Sequence, residues 1–205
     1  MHYRVWRLAV PMIFSNLSIP LLGIVDTAVM GYLPEPYYIG AVAIGALVFS
    51  FIYWGFGFLR MSTTGLVAQA YGRDEQDEVW LIVGRALMIG CCISVLIILL
   101  QTPIATMTFY FIEASVNVET NAEVYFYIRV WSAPAVLATY AFIGWFLGTQ
   151  NAYGAMWVLL ITNIVNMVLD VLFVVVFDWG VEGVAWATLI AYGSMTIVSY
   201  FYGKK

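Results

Sequence analysis

Two carboxylates, Asp26 and Asp170, stand inside long apolar runs of this 205-residue chain. An aspartate at the centre of a membrane-spanning helix costs about 2.5–3.5 kcal/mol on insertion scales, and acids found there serve ion or proton pathways. A carboxylate shielded from water tends to take up a proton, so a buried acid can load and release one as access changes. Asn163, Asn166 and Asp170 follow at i, i+3 and i+7, a spacing that puts two amides and one acid on one helical face. Thr188 adds a hydroxyl in the last apolar run. The oxygens of such a set suit a proton or a hard cation such as Na⁺ equally well. Asparagines alone would also serve as hydrogen-bonding glue between helices.

The elements that must position these groups are apolar stretches of membrane-spanning length, about 20 residues each. Six are read, at 8–32, 38–59, 81–100, 130–147, 153–177 and 183–202. The first is no cleavable signal peptide, since it carries Pro11, Pro20 and Asp26 and lacks a compact apolar core with a small-residue cleavage pattern. Asp26 lies six residues before the outer end of the first span and Asp170 seven before the outer end of the fifth. At 1.5 Å rise per residue both come roughly 10 Å below one interface, and Thr188 reaches a similar depth. Three helices are thereby expected to bring polar groups to one level. Pro11 and Pro20 each remove a backbone hydrogen bond, so kinks are expected in the first helix, static or linked to the protonation of Asp26.

Composition agrees with a bilayer as solvent: 63% of residues are hydrophobic, 17% aromatic and 10% charged. A soluble domain carries about 25% charged residues. Eight Lys/Arg against twelve Asp/Glu leave a net charge of −4 and no basic patch to grip phosphates, which excludes a nucleic-acid partner. The whole chain is read as one all-α lobe, residues 1–205, with no linker or low-complexity tract. Arg4, Arg7, Arg60, Arg73, Arg85, Lys204 and Lys205 fall on one side of this topology and only Arg129 on the other. By the positive-inside rule both termini face the cytoplasm, and the chain is a multi-pass protein of the inner or plasma membrane.

The remaining motifs are plainer. The segment 60–72 continues the second span as an amphipathic tail, with Arg60 snorkelling to the headgroups. Cys91 and Cys92 are adjacent and read as packing residues; no ligand spacing suggests a structural metal or cofactor. Gly144 and Gly148 fit a small-xxx-small pattern, which serves close helix packing or dimerisation. Tyr53, Trp54 and Tyr140 fit either a cavity lining or a packed core. His2 stands alone near the terminus, and no nucleophile motif or phosphate loop occurs, so no enzyme is expected.

The runs 8–16 (LAVPMIFSN) and 20–28 (PLLGIVDTA), with 59–66 (LRMSTTGL), 132–135 (SAPA), 163–170 (NIVNMVLD) and 183–188 (GVAWAT), resemble the multidrug and toxic compound extrusion (MATE) transporters, in the branch of DNA-damage-inducible protein F. The resemblance implies one six-helix lobe of a twelve-helix transporter, the N-terminal lobe that carries the coupling-ion site. Asp26 would be the helix-1 acid, Asp170 and Asn166 its helix-5 partners, Thr188 the helix-6 hydroxyl and Pro11 the helix-1 bending point. It further implies cation-coupled (H⁺ or Na⁺) antiport of small amphipathic, often cationic, compounds. A second six-helix lobe would come from the same chain or from a second copy, a parallel arrangement that N-in/C-in halves permit. Two alternatives stand beside it: a lipid-precursor flippase of the same superfamily, and a membrane subunit that associates with a partner without transporting.

Overall fold

The computed structural model describes residues 10, 13, 17, 21 and 23–203. Among them every regular element is helical, and five stretches are long and apolar enough to cross a membrane: Tyr37–Gly72, Gln76–Leu99, Val116–Gly148, Ala152–Val176 and Gly180–Ser199. The first expected span is represented by α1, helical over 23–30, and by helical backbone at positions 10, 13, 17 and 21. Pro11 and Pro20, the expected kink positions, lie outside the described residues.

The second span is two helices, α2 (Tyr37–Gly55) and α3 (Phe58–Gly72), separated by a turn at Phe56 and Gly57. The amphipathic tail expected beyond Arg60 is thus the body of α3. After a turn through Asp74, which adopts a left-handed φ of 61°, α4 runs from Gln76 to Leu99. Asp77 and Glu78 occupy its first turn, where acids complement the helix dipole.

A larger correction follows. The stretch before residue 130, expected to be a loop, is helical: α5 (Gln101–Phe111) leads to α6 (Val116–Arg129), and a 3₁₀ turn at Val130–Ser132 joins α6 to α7 (Ala133–Gly148). The expected span at 130–147 is therefore the second half of a stretch that begins at Val116. Arg129, expected as the one cation of an outer loop, sits in the middle of that stretch instead. The reason is local. Ala122, Tyr125 and Phe126 are buried at i, i+3 and i+4, while Glu123 stays exposed on another face and Glu119, in the first turn, accepts from the Ala114 amide.

Asn151 caps α8 (Ala152–Asp170), its Oδ1 accepting from the Gly154 amide at 2.9 Å. A π-helical segment, Val171–Val176, continues it, and α9 (Gly180–Gly203) follows a turn in which Asp178 and Gly180 have φ of 57° and 59°. α9 is the centre of the bundle, packed on α2, α6, α7 and α8. On its far side α3 lies along α7, and α4 packs on both.

The α3–α7 contact explains the small-xxx-small pattern. A Cβ on Gly144 would stand 2.8 Å from Thr63 Cβ, and one on Gly148 2.6 Å from Val67 Cγ1, so both glycines admit α3 within the same chain. Gly45 of α2 makes room for the ring of Tyr125 in the same way. Phe49, Tyr125, Phe126 and Phe146 fill the interior, whereas Leu47, Phe51, Trp54, Met88 and Leu99 point outward. Outward apolar side chains are the expected surface of a helix bundle whose solvent is lipid. Cys91 and Cys92, read as packing residues, are on that outer surface.

Candidate ion-binding site

The expected polar face of α8 forms. Asn163, Asn166 and Asp170 are 8%, 5% and 0% exposed, while Ile164 and Val168, on the opposite face, are 53% and 59% exposed. The polar groups therefore point into protein and the apolar ones outward, the arrangement an intramembrane polar stripe requires. Asn166 Nδ2 donates to Thr188 Oγ1 of α9 at 3.4 Å, a long hydrogen bond that fixes the two residues at one level.

Asp170 is the last residue of α8 proper. Immediately after it the backbone widens into the π segment, where the Phe177 amide donates to the Leu172 carbonyl, five residues back, at 3.0 Å. Such widened turns recur at functional sites because they re-aim side chains and loosen the hydrogen-bond ladder. Nothing in the apolar Val171–Val176 sequence signals it.

Asp26 faces Asp170 from α1, and the two side chains are in hydrogen-bonding range. Two ionised carboxylates are both acceptors, so neither can donate to the other unless a proton lies between them. No protein donor relieves them: Asp26 Oδ1 and both oxygens of Asp170 are buried without a partner. Buried hydroxyls elsewhere in the bundle behave differently. Thr63, Ser94 and Thr162 each return their hydrogen to the carbonyl four residues back, at 2.6, 2.6 and 2.8 Å. A carboxylate has no hydrogen to return, and the side chain in hydrogen-bonding range of Asp170 is another acid.

A cavity of about 180 Å³ leads to Asp26 between α1 and α2, lined by Gly23, Thr27 and Met30 on one side and Ile39, Val42 and Ala46 on the other. It holds several waters' worth of volume, enough for a proton or a partly hydrated cation to reach the acid. Asp26, Asp170, Asn166 and Thr188 thus bring two carboxylates, an amide and a hydroxyl together from three helices. All the potential ligands are hard oxygens, a set that accepts a proton or an alkali cation and has no feature suited to a transition metal. Among the described residues no three His, Cys, Asp or Glu side chains cluster as a metal site.

Two aromatic residues and one cation border this set unannounced as site residues by the sequence reading, Tyr125, Tyr192 and Arg129, and Tyr53, expected as cavity lining or core, joins them. Arg129 Nη1 donates to the hydroxyl of Tyr125, and both residues are in electrostatic reach of Asp26 and Asp170. Tyr53 and Tyr140 belong to this interior, with Tyr192 between them, while Trp54 is on the outer surface against Phe51. A signal for Arg129 was present: residues 122, 125, 126 and 129 repeat at i, i+3, i+4 and i+7, an inward helical stripe that ends on arginine.

Comparison with known proteins agrees with this architecture. DNA damage-inducible protein F of Escherichia coli (strain K12) is 44% identical over 200 residues, covering 98% of this chain and 44% of that protein. Multidrug and toxin extrusion protein 1 of Danio rerio is 28% identical over 203 residues, covering 96% of this chain and 33% of that protein. The solved structure of a MOP superfamily transporter from Pyrococcus furiosus superposes with a TM-score of 0.89 at 22% identity, over 97% of this chain and 44% of that one, a likeness of fold. The chain thus spans less than half the length of the relatives it matches. The MatE family model matches residues 11–172, and the chain belongs to the MatE family of membrane transporters.

Proposed function

We propose that this chain is the N-terminal lobe of a cation-coupled multidrug efflux antiporter, with Asp26 and Asp170 as the coupling-ion acids and Asn166 and Thr188 as their supporting ligands. One observation carries the assignment: two carboxylates from α1 and α8 face one another inside the bundle with three of their oxygens buried and without a donor. Like charges so placed demand a positive charge between them, and a proton or Na⁺ supplies it. Protonation, or cation binding, then becomes the event that links α1 to α8. The π segment after Asp170 gives α8 a turn that can adjust, and Pro11 is the corresponding bending point of helix 1. Membership of a transporter family and likeness to a protein named for multidrug and toxin extrusion support export of small organic compounds, amphipathic and often cationic.

Alternating access in this architecture works between two lobes, so the proposal includes a second six-helix lobe, in cis or as a second copy. The lobe sits in the inner membrane with its termini in the cytoplasm. The flippase alternative calls for several cations inside the bundle, whereas among the described residues Arg129 is the one arginine set in the interior.

The test uses the transporter with both lobes, reconstituted in proteoliposomes and loaded with a fluorescent amphipathic cation. Asp26→Asn and Asp170→Asn are each expected to lower efflux driven by an imposed proton or sodium gradient by at least about tenfold, the scale of losing one charged ligand. Imposing the two gradients separately identifies the ion. Unchanged coupled efflux in either variant overturns the assignment, and copurification with a partner but no ion-dependent flux in wild type favours the non-transporting subunit.

A further inference from the structure

The turn between α8 and α9 gathers aromatic rings at one end of the bundle. Phe173, in the π segment, stacks on Trp179 with ring centroids 4.9 Å apart, and Phe177 lies 5.7 Å from Trp179. The backbone holds these rings in place: the Trp179 amide donates to the Phe173 carbonyl at 2.9 Å, and the Phe177 amide to the Leu172 carbonyl. Gly183 lets α9 close on the same segment, since a Cβ there would stand 3.1 Å from Phe173 Cβ. Trp186 and Ile190 of α9 complete an open groove of about 370 Å³ with Phe173 and Trp179. That volume is in the range of small-molecule sites, about 300–1,000 Å³. Phe177, Trp179, Trp186 and Ile190 are all exposed, and Phe173 is buried against them.

Two acids accompany the rings. Asp178 sits between Phe177 and Trp179 in the chain and is exposed. Glu182 is exposed four residues before Trp186 and eight before Ile190, so the three share one outward stripe of α9. Among the described residues neither acid is in an ion pair. The sequence supplies no base alongside: from 130 to 203 it holds no lysine, arginine or histidine. Tryptophan at a membrane boundary commonly anchors a helix in the headgroup layer. An anchor needs no acids, whereas π faces beside two uncompensated carboxylates suit a cation with an apolar body. A phospholipid fits less well, because its phosphate would face the same two acids with no base to receive it.

We propose that this groove is a binding site for amphipathic organic cations, with Trp179 and Trp186 as its π faces and Asp178 and Glu182 as its counter-charges. In the proposed topology the α8–α9 turn is on the external face, which makes the groove a docking station on the exit side of transport. That role rests on the function proposed above; the binding itself rests on the rings and charges of the groove and does not depend on which groups carry the coupling ion.

The test is fluorine NMR of the two-lobe transporter carrying 5-fluorotryptophan in phosphatidylcholine nanodiscs, the resonances of Trp179 and Trp186 being assigned by their loss in Trp179→Phe and Trp186→Phe. Tetraphenylphosphonium is expected to shift both resonances saturably, while tetraphenylborate, of the same shape and opposite charge, leaves them in place. Asp178→Asn combined with Glu182→Gln is expected to weaken phosphonium binding at least about threefold, the scale of two exposed charge contacts. Trp186→Leu is expected to weaken the binding read at Trp179 by about the same factor. Equal response to the two ions, or an affinity indifferent to both acids, overturns the proposal and leaves an apolar groove without charge selection. A shift produced by added phosphatidylethanolamine and not by the phosphonium also overturns it and gives the groove to lipid. Phosphonium binding here without coupled efflux in wild type refutes the proposed function and leaves this site standing. Coupled efflux with silent Trp179 and Trp186 resonances refutes this site alone.

Discussion

At the scale of single residues, the site separates groups that are satisfied from groups that are held in want of a partner. Asn166 and Thr188 satisfy one another across α8 and α9, whereas Asp26 and Asp170 confront each other with buried, unpaired oxygens. The first pair contributes stability, and the second is the pair proposed to hold the coupling ion. Thr188→Val removes the acceptor and keeps the shape. It is expected to lower unfolding stability by about 0.6 kcal/mol, the average for an interhelical hydrogen bond in a membrane protein, as read by thermal unfolding in detergent. A loss above about 2 kcal/mol would mean that Thr188 supports more than this one bond. The residues of this pairing were legible in the chain because they obey one-dimensional rules. Depth follows from counting residues to a span end, and facing follows from the helical repeat, so Asp26, Asp170, Asn166 and Thr188 could be grouped before any coordinates. Whether α1 meets α8 could not be counted in that way. It depends on how α9 threads the bundle, which is set by packing among distant segments.

At the scale of elements, apolar length marked the helices well and mixed composition hid one. The stretch before residue 130 carries Asn117, Glu119, Asn121 and Glu123, and a window average over it reads as loop. Its inward stripe of Ala122, Tyr125 and Phe126 is what makes it a helix, and Arg129 is carried into the bundle at the end of that stripe. The π turn after Asp170 was hidden for a different reason: it replaces one apolar stretch by another of the same composition and changes only the hydrogen-bond register. Glycines gave a pattern whose partner was ambiguous, and the structure resolves it in favour of α3. The α3–α7 contact is tight enough to test. Gly148→Ala would put a methyl 2.6 Å from Val67 Cγ1 and 2.9 Å from the Thr64 carbonyl, and Gly144→Ala one 2.9 Å from the Arg60 carbonyl. Backbone cannot swing aside as a side-chain tip can, so each is expected to cost about 1–3 kcal/mol. Gly84→Ala on α4, with nothing within 4 Å of the new methyl, is the control. It is expected to be neutral or to stabilise by up to about 1 kcal/mol, since alanine loses less backbone entropy than glycine in a helix. Denaturant or thermal unfolding of the three variants ranks them, and equal stabilities would refute the close approach of α3 to α7.

At the scale of the whole molecule, the relocation of Arg129 changes the argument about sidedness. With Arg129 counted inside the bundle, the outer loops keep no lysine or arginine in the proposed topology, while Arg73 marks the turn between α3 and α4. The positive-inside bias is thereby strengthened, because an interior charge screened by rings and acids contributes nothing to loop sorting. The same topology assigns opposite sides to connections that the fold already separates along the chain: the turn before α2 and the α5–α6 connection on one side, the α3–α4 and α7–α8 turns on the other. Exposed residues in each offer a direct measurement. With Cys91 and Cys92 replaced by serine, Glu35→Cys and Glu113→Cys are expected to react with a membrane-impermeant thiol reagent added to intact cells. Gln76→Cys and Gln150→Cys are expected to react only after the cells are opened. All four positions are at helix ends or turns, three of them outside any helix. The contrast between whole and opened cells should be at least about tenfold, because a charged reagent crosses about 30 Å of hydrocarbon very slowly. The reverse pattern would invert the lobe and put the opening beside Asp26 on the cytoplasmic side. An acid gated from outside, as efflux by exchange for an entering cation requires, needs that cavity between α1 and α2 on the external half of the membrane.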